Sequence, residues 1–406
     1  MLEKFLRLAR GRVVPGYSPQ HVPAKFDNVV IAMSGGVDSS VAAALFAHYP
    51  KATGVYMQNW SESQALESIA EEPCYEKDWK DVAKLGDFLG VPVEKVNFES
   101  DYWIDVFEPM LQEYDQGRTP NPDIGCNKFV KFGKLKSYLD QKYGHDNYHL
   151  VTGHYSRVLQ HLESKEYHLL RGYYPQKDQS YYLSQINGGI LPRLVLPMGH
   201  LTKPEVRDMA RELQLPTANK RDSQGICFVN NSQHKKFNKF LEHYLTNKPG
   251  NVITVEPTGE KTVWGTHKGL WSYTLGQKIG DGISLPQADP RYTGAWYVSE
   301  KIPATNEIVI VRGRENPQLY RDKLRIQDFE YLGEPQTIRK EITEALQRGE
   351  LRARYRSLME PEPLISINTD ADEFHLQFQR PQRAMAPGQF CCLLSQNRIL
   401  GSGPIM

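Results

Sequence analysis

The stretch Ile31–Ala47, IAMSGGVDSSVAAALFA, decides the fold. A run of β-formers ends at Ser34-Gly35-Gly36, and an alanine-rich helical pattern starts at Val37 with no linker between them. A glycine pair at a strand-to-helix turn lets backbone N–H groups face an anion. The surrounding chain repeats the alternation. NVVIAM (28–33), ATGVYM (52–57), VPVEKVNF (91–98) and NYHLVTGHY (147–155) read as strands; VDSSVAAALFAHY (37–49) and EKDWKDVAKLGDFLG (76–90) read as helices. This pattern predicts an α/β domain whose parallel sheet is covered on both faces and binds its ligand at the carboxyl ends of the strands.

Several chemistries compete for the turn, beside a plain tight connection that needs only the two glycines. A GxxxxGK[ST] phosphate loop requires a lysine that is absent. Ala32-Met33-Ser34-Gly35-Gly36 is one small residue away from the GxSxG elbow of a serine hydrolase, but that reading leaves Asp38, Ser39 and Ser40 without a role. Ser34–Ser40, SGGVDSS, resembles the pyrophosphate loop of the ATP-pyrophosphatase family. The resemblance implies cleavage of ATP between its α and β phosphates and transfer of AMP to an oxygen. Hydroxyls of Ser34, Ser39 and Ser40 and the helix N-terminus suit phosphate oxygens. Asp38 suits them only with Mg²⁺ in between.

With 406 residues the chain is expected to form two or three domains. A net charge of +1 decides nothing about a polyanionic partner, so local clusters must. Five cysteines without a CxxC pair argue against a disulfide framework or a structural zinc, and adjacent Cys391 and Cys392 in GQFCCLLS read as core. No apolar run approaches the roughly 18 residues of a membrane span. Residues 1–25 carry Lys4, Arg7, Arg10, Arg12 and Lys25 against the single acid Glu3, with Leu2, Phe5, Leu6 and Ala9 on one helical face. That composition is expected of a mitochondrial presequence, the alternative being a cytosolic tail.

TKPEVRDMARELQ (202–214) is a predicted helix with Thr202 and Glu205 at capping-box spacing, and another is expected over 232–246. Beyond about 250, short alternating strands predict one or two all-β modules, the last a small barrel. The expected domains are the tail 1–25, an ATP-pyrophosphatase domain 26–228, a central domain 229–306, and a β-barrel-like domain 307–406.

Two cysteines sit in distinctive surroundings. In GRTPNPDIGCNKFVKFGKL (117–135), Cys126 lies near a predicted helix start with Lys128, Lys131 and Lys134 following, a setting that favours the thiolate. In RDSQGICFV (221–229), Cys227 follows a polar turn and alone reads as core. Taken in order, SGGVDSS, NPDxxCN, TGHY, KDQSYYL, KxDSQGICF, YTxGQ, RYR and PGQ are similar to the tRNA-uridine 2-sulfurtransferases, the tRNA 2-thiouridylases, over residues 26–406. The mitochondrial branch is the nearer likeness, given the first 25 residues.

The resemblance implies a set of roles. ATP contacts fall on Ala32, Met33, Ser34, Gly35, Gly36, Val37, Asp38 and Ser39, on Met57, and on Gly153. Cys227 carries a persulfide and Cys126 is its partner, either freeing sulfide or closing a disulfide, with Asp123 as acid/base. An iron–sulfur cluster on Cys126, Cys227 and Asp123 stays open as an alternative. The tRNA contacts fall on Asn121, Pro122, Asp123, His154, Lys177, Asp178, Gln179, Arg354, Tyr355 and Gln389. In LRARYRS (351–357), Arg352, Arg354 and Arg356 would share one face of a strand and form a phosphate-facing stripe. The implied partners are tRNA and a sulfur-carrier protein or cysteine desulfurase, with the enzyme a monomer in the mitochondrial matrix. A small-molecule amidating synthetase, which would need neither cysteine, and an RNA-binding module with a spent nucleotide site are the rival readings. Cys74, in the irregular connection 61–79, receives no role.

Overall fold

The computed structural model describes residues 1–61, 74–222, 237–280, 285, 289–370 and 373–406. The first domain is a five-stranded parallel sheet in the order β3-β2-β1-β4-β7, comprising Val93–Asn97, Ala52–Gln58, Val29–Ala32, His149–Val151 and Leu194–Val195. Helices α2 (Val37–Phe46) and α3 (Cys74–Leu89) make two of its crossovers. Val29, Val30 and Ile31 are completely buried, as a strand covered on both faces demands. The chain runs outward from β1 in opposite directions to β2 and β4, so the switch point lies between β1 and β4.

A helical arm over one face carries α4 (Glu99–Tyr102), a π-helical turn Trp103–Phe107 and α5 (Glu108–Asp115). A second run joins α6 (Pro122–Gly125), a π-helical segment Cys126–Lys134 and α7 (Leu135–Tyr143). The predicted 202–214 helix is present as α8 (Lys203–Glu212), and its capping box is formed: Glu205 N–H reaches Thr202 Oγ1 at 3.4 Å and Thr202 N–H reaches Glu205 Oε2 at 2.8 Å. Of the helix expected over 232–246, Phe237–Leu241 is helical and 232–236 lie outside the described residues.

The first 25 residues are not a detached tail. Helix α1 (Leu2–Arg10) buries Phe5 and Ala9 in the core beside α2 and α8. Arg12 donates two hydrogen bonds to Glu205, at 2.9 and 2.6 Å, and a third to the carbonyl of His200. Amphipathicity is equally the requirement for packing on a domain surface, so composition alone could not separate the two uses.

The middle sheet has the order β10-β11-β8-β9: Trp296–Ile302, Glu307–Arg312, Gly250–Val255 and Lys261–His267. The boundary expected at 306/307 therefore falls too early, because Ile308, Val309 and Ile310 belong to the middle core or sheet. The last sheet contains β12 (Tyr320–Ile326), β14 (Leu351–Arg354), β15 (Glu362–Asp370), β16 (Glu373–Arg383), β17 (Phe390–Ser395) and β18 (Arg398–Pro404). It also takes in the hairpin β5 (Ser156–Gln160) and β6 (Tyr167–Arg171) from the first domain, through the pair Arg398↔Leu170. That shared sheet fixes the barrel against the catalytic half.

Candidate active site

The turn after β1 has the geometry of a phosphate cradle. Gly35 sits at φ +71°, a conformation that disfavours a side chain, and an added Cβ would also meet the Asp78 carbonyl at 3.0 Å. Gly36 caps α2 without any side-chain bond, so the first-turn N–H groups keep their donors. The hydroxyls behave differently from the sequence expectation. Ser40 is fully buried and donates to the Gly36 carbonyl at 2.8 Å; Ser39 donates to the same carbonyl at 3.1 Å and accepts from Ser34 N–H at 3.2 Å. They shape the loop, as does Ser34, whose hydroxyl lies 3.1 Å from that of Ser39 and accepts from Gly36 N–H at 3.4 Å, so the first-turn N–H groups of α2 are the donors the loop leaves open. Met33 and Val37 are buried, so only their backbones can face a nucleotide; Ala32 and Met57 are partly exposed at the ends of β1 and β2.

Asp38 Oδ1 accepts from Tyr155 at 2.7 Å and Lys203 at 2.6 Å. Its other carboxylate oxygen has no hydrogen-bond partner among the described residues, and a single carboxylate beside phosphates is the usual protein contribution to Mg²⁺. Lys203 also reaches Asp222 at 2.9 Å, and Lys177 and Arg207 meet the same carboxylate at 2.9 and 2.6 Å. Lys177 is thus tied to Asp222. Neither Lys203, Tyr155 nor Asp222 was singled out from sequence; a lysine at a helix start carries no chemical signal until its acid is known.

Segment Thr152-Gly153-His154 joins the loop to the thiol helix. A Cβ on Gly153 would lie 2.8 Å from Ser39 N, so glycine there permits β4 to approach α2 closely. His154 bonds Thr152 Oγ1 through Nδ1 at 2.7 Å and packs on Phe132 at 5.7 Å between centroids. Phe132 belongs to the π-helical segment headed by Cys126, which is buried. Burial, with Lys131 adding to it, pushes His154 down to about 3, so its ring is neutral at pH 7. Burial likewise raises the Asp123 carboxyl, against the opposing charge of Lys131. Burial raises the nearby Tyr182 phenol as well, and Asp123 contributes to that rise. Of the three lysines on this helix, Lys128 pairs with Glu330 at 2.7 Å and Lys134 with Asp101 at 2.9 Å, while Lys131 acts on the site.

Asn121 and Gln389 come together at 3.4 Å, and Gln389 donates to the carbonyls of Thr119 and Pro120 at 2.7 and 3.3 Å. Pro122 is buried at the helix start, and Gln179 accepts from Tyr155 N–H at 2.9 Å. Three of the expected tRNA contacts are enclosed in this structure. Arg354 is 0% exposed and Asp178 1%, joined at 2.7 Å, and Tyr355 is buried with its hydroxyl on Gln382. β14 lies between β15 and β17 rather than at an edge, so the supposed arginine stripe is an interior strand. Cys227 and the expectations resting on it lie outside the described residues, as does the side chain of Cys74. Among the described residues, no cluster of three or more His, Cys, Asp or Glu could hold a metal.

Residues 27–231 match a family described as tRNA methyl transferase HUP domain, 238–312 a tRNA methyl transferase PRC-barrel domain, and 321–405 an aminomethyltransferase beta-barrel domain. Along its whole length the chain is 60% identical to the mitochondrial tRNA-specific 2-thiouridylase 1 of Saccharomyces cerevisiae, of which 98% is covered. The chain belongs to the tRNA-specific 2-thiouridylase family. The tRNA-specific 2-thiouridylase MnmA of Lactiplantibacillus plantarum is 38% identical over 93% of this chain and 94% of its own length. That of Cupriavidus metallidurans is 38% identical over 93% and 98%. As a 2-thiouridylase family member the chain has the α/β domain and two β-rich domains foreseen from sequence.

Proposed function

We propose that this protein is an ATP-dependent tRNA-uridine 2-sulfurtransferase of the mitochondrion. Identity to relatives named as tRNA-specific 2-thiouridylases, 60% over the whole chain to a mitochondrial one, supports the activity and the compartment. The structural observation that carries the reading is the double contact of Thr152–His154, with the phosphate loop on one side and the Cys126 helix on the other. One crevice then serves both nucleotide and thiol chemistry.

The uracil C2 oxygen attacks the α phosphate of ATP; AMP becomes bonded to that oxygen and pyrophosphate leaves toward the free N–H groups of α2. Bound Mg²⁺, held by Asp38, would neutralise charge on the departing pyrophosphate. The terminal sulfur of a Cys227 persulfide, loaded by a sulfur-carrier protein or a cysteine desulfurase, then attacks C2 and AMP departs. Cys126 thiolate attacks the Cys227 sulfur, the S–S electron pair passes to the C2 sulfur, and a Cys126–Cys227 disulfide remains for an external dithiol to reduce. In the other order, Cys126 performs the same displacement first and frees sulfide, which attacks C2. Asp123, with its raised carboxyl, is suited to give and take the proton at the base. Lys203 fastens Asp222 beside Asp38 in the phosphate loop. The enzyme is proposed to act as a monomer.

Mass spectrometry of tRNA nucleosides after incubation with ATP, Mg²⁺ and a sulfide source tests the proposal. The expected product is 2-thiouridine at the wobble position, absent with Cys126→Ser although pyrophosphate release continues. Pyrophosphate release that ignores tRNA, with no thiolated nucleoside, would favour the amidating synthetase instead.

A further inference from the structure

A cleft of about 820 Å³ opens where the three domains meet, and neither the site nor the sequence motifs account for it. Its walls come from the loop 116–119 of the first domain, strand β10 of the middle domain, and strands β12 and β16 of the barrel. Arg118, Lys301, Arg321, Lys323 and Arg325 line it, against Glu300 as the one acidic side chain lining it among the described residues. Arg321, Lys323 and Arg325 alternate along β12, so they point to the same side, with successive members about 7 Å apart. That separation is comparable with the step between phosphates along a nucleic-acid strand. β12 ends the sheet order, with only its last residues bridged to Ile405 and Met406, and all three residues are exposed.

The pairing of these charges is informative. Arg118 meets Glu113 at 3.4 Å and Arg325 meets Glu373 at 3.8 Å, both weak, half-exposed pairs. Arg321 and Lys323 have no acidic partner among the described residues. Two neighbouring unneutralised cations facing one hollow repel each other and are stabilised by an anion that spans them. The floor of the hollow is also clamped: Lys301 donates to the Gly117 carbonyl at 2.9 Å, and Thr119 N–H to the Pro387 carbonyl at 2.8 Å. Gln389 then holds the Thr119 carbonyl and Asn121, two residues before Asp123. A strand lying in the cleft therefore leads directly to the reacting loop.

We propose that this cleft seats the ribose-phosphate backbone of the RNA substrate next to the modified uridine, with Arg321 and Lys323 as its principal phosphate contacts. The inference rests on the sulfurtransferase reading and adds a row of phosphate contacts on β12. Backbone contacts of this kind position the substrate without reading its sequence.

The test is the double variant Arg321→Gln/Lys323→Gln in the full chain. Its affinity for unmodified tRNA should fall about 10- to 100-fold, and the slope of log K against log salt should become shallower by about 1.5, as two lost phosphate contacts require. The KM for ATP, the thiolation rate at saturating tRNA and the melting midpoint should match the parent. Lys340→Gln, on the exposed face of helix Pro335–Gln347, should change neither affinity nor slope. Should the double variant melt early, Arg325→Gln is read by the same two quantities. Unchanged affinity, or a loss of affinity with an unchanged slope, overturns the proposal. A parent chain that binds tRNA but never thiolates it overturns the sulfurtransferase reading instead.

Discussion

Lys203 Nζ stands 2.6 Å from Asp38 in the phosphate loop and 2.9 Å from Asp222. One ammonium group therefore ties the nucleotide cradle to the segment that runs on toward Cys227. It is held in place from behind, because Lys203 opens α8 and the α8 cap includes Glu205, the acid gripped by Arg12. The link from α1 to the phosphate loop is thus a continuous set of named contacts.

Replacing Lys203 with Met keeps its bulk and removes that charge. Asp38 then faces the triphosphate without its cation, and Asp222 loses one of three partners. Pyrophosphate release with tRNA present should fall about 10- to 100-fold, measured at saturating ATP. A rate within twofold of the parent would detach Lys203 from catalysis.

Arg354→Met removes the closer guanidinium from the buried Asp178 carboxylate, leaving it the N–H groups of Gly172 and Ser180 and the longer 3.4 Å contact of Arg171. Breaking a buried pair from one side costs about 3–5 kcal/mol, to be read from denaturant unfolding. Adding Asp178→Asn should recover part of the loss. The folded Arg354→Met protein should bind tRNA as the parent does, since this residue is enclosed by the barrel.

Burial holds the Asp123 carboxyl above its ordinary value, so the folded state binds that proton more tightly than the unfolded chain. Stability contributed by the protonated form is present below the ordinary aspartate range and is lost as pH rises through the elevated value. Asp123→Asn should accordingly raise the melting midpoint at pH 8 and leave it nearly unchanged at pH 3.5. The same variant should lose thiolation at every pH.

Phe5→Ala removes a fully buried ring from the interface of α1 with α2 and should cost about 3–5 kcal/mol. Arg12→Gln should act in the same direction by weakening the grip on Glu205, whose carboxyl that arginine holds down to about 2. Its contribution is present above the ordinary glutamate range and vanishes as pH falls toward 2, so the two proteins should converge in stability under acid. Melting curves between pH 7 and pH 2.5 check both variants. An α1 that merely rested on the surface would leave the midpoint unmoved by Phe5→Ala.

Local order carried much of this molecule in plain view. The Ser34–Ser40 turn, the strand–helix alternation around it and the Thr202/Glu205 cap depend on neighbours three or four residues apart, and periodicity reports such neighbours directly. Two elements escaped. The region 307–406, expected to be all strands, contains helix Pro335–Gln347, whose Ile338, Ile342 and Ala345 pack into the barrel core. The hairpin β5–β6 was not assigned to the barrel, because its partner strand β18 lies more than two hundred residues further on.

Sequence by itself determined the chemistry available here: a phosphate-binding turn, two cysteines in distinct motifs, and an ordered set of short signatures shared with one enzyme family. Only the tertiary structure decided which charges work and which are spent. Arg354 and Arg321 look alike in a string of letters, but the first is enclosed opposite Asp178 and the second stands free on an edge strand. The reason is that a cation's role is set by the carboxylates within about 4 Å and by its access to water, and both come from residues far away along the chain.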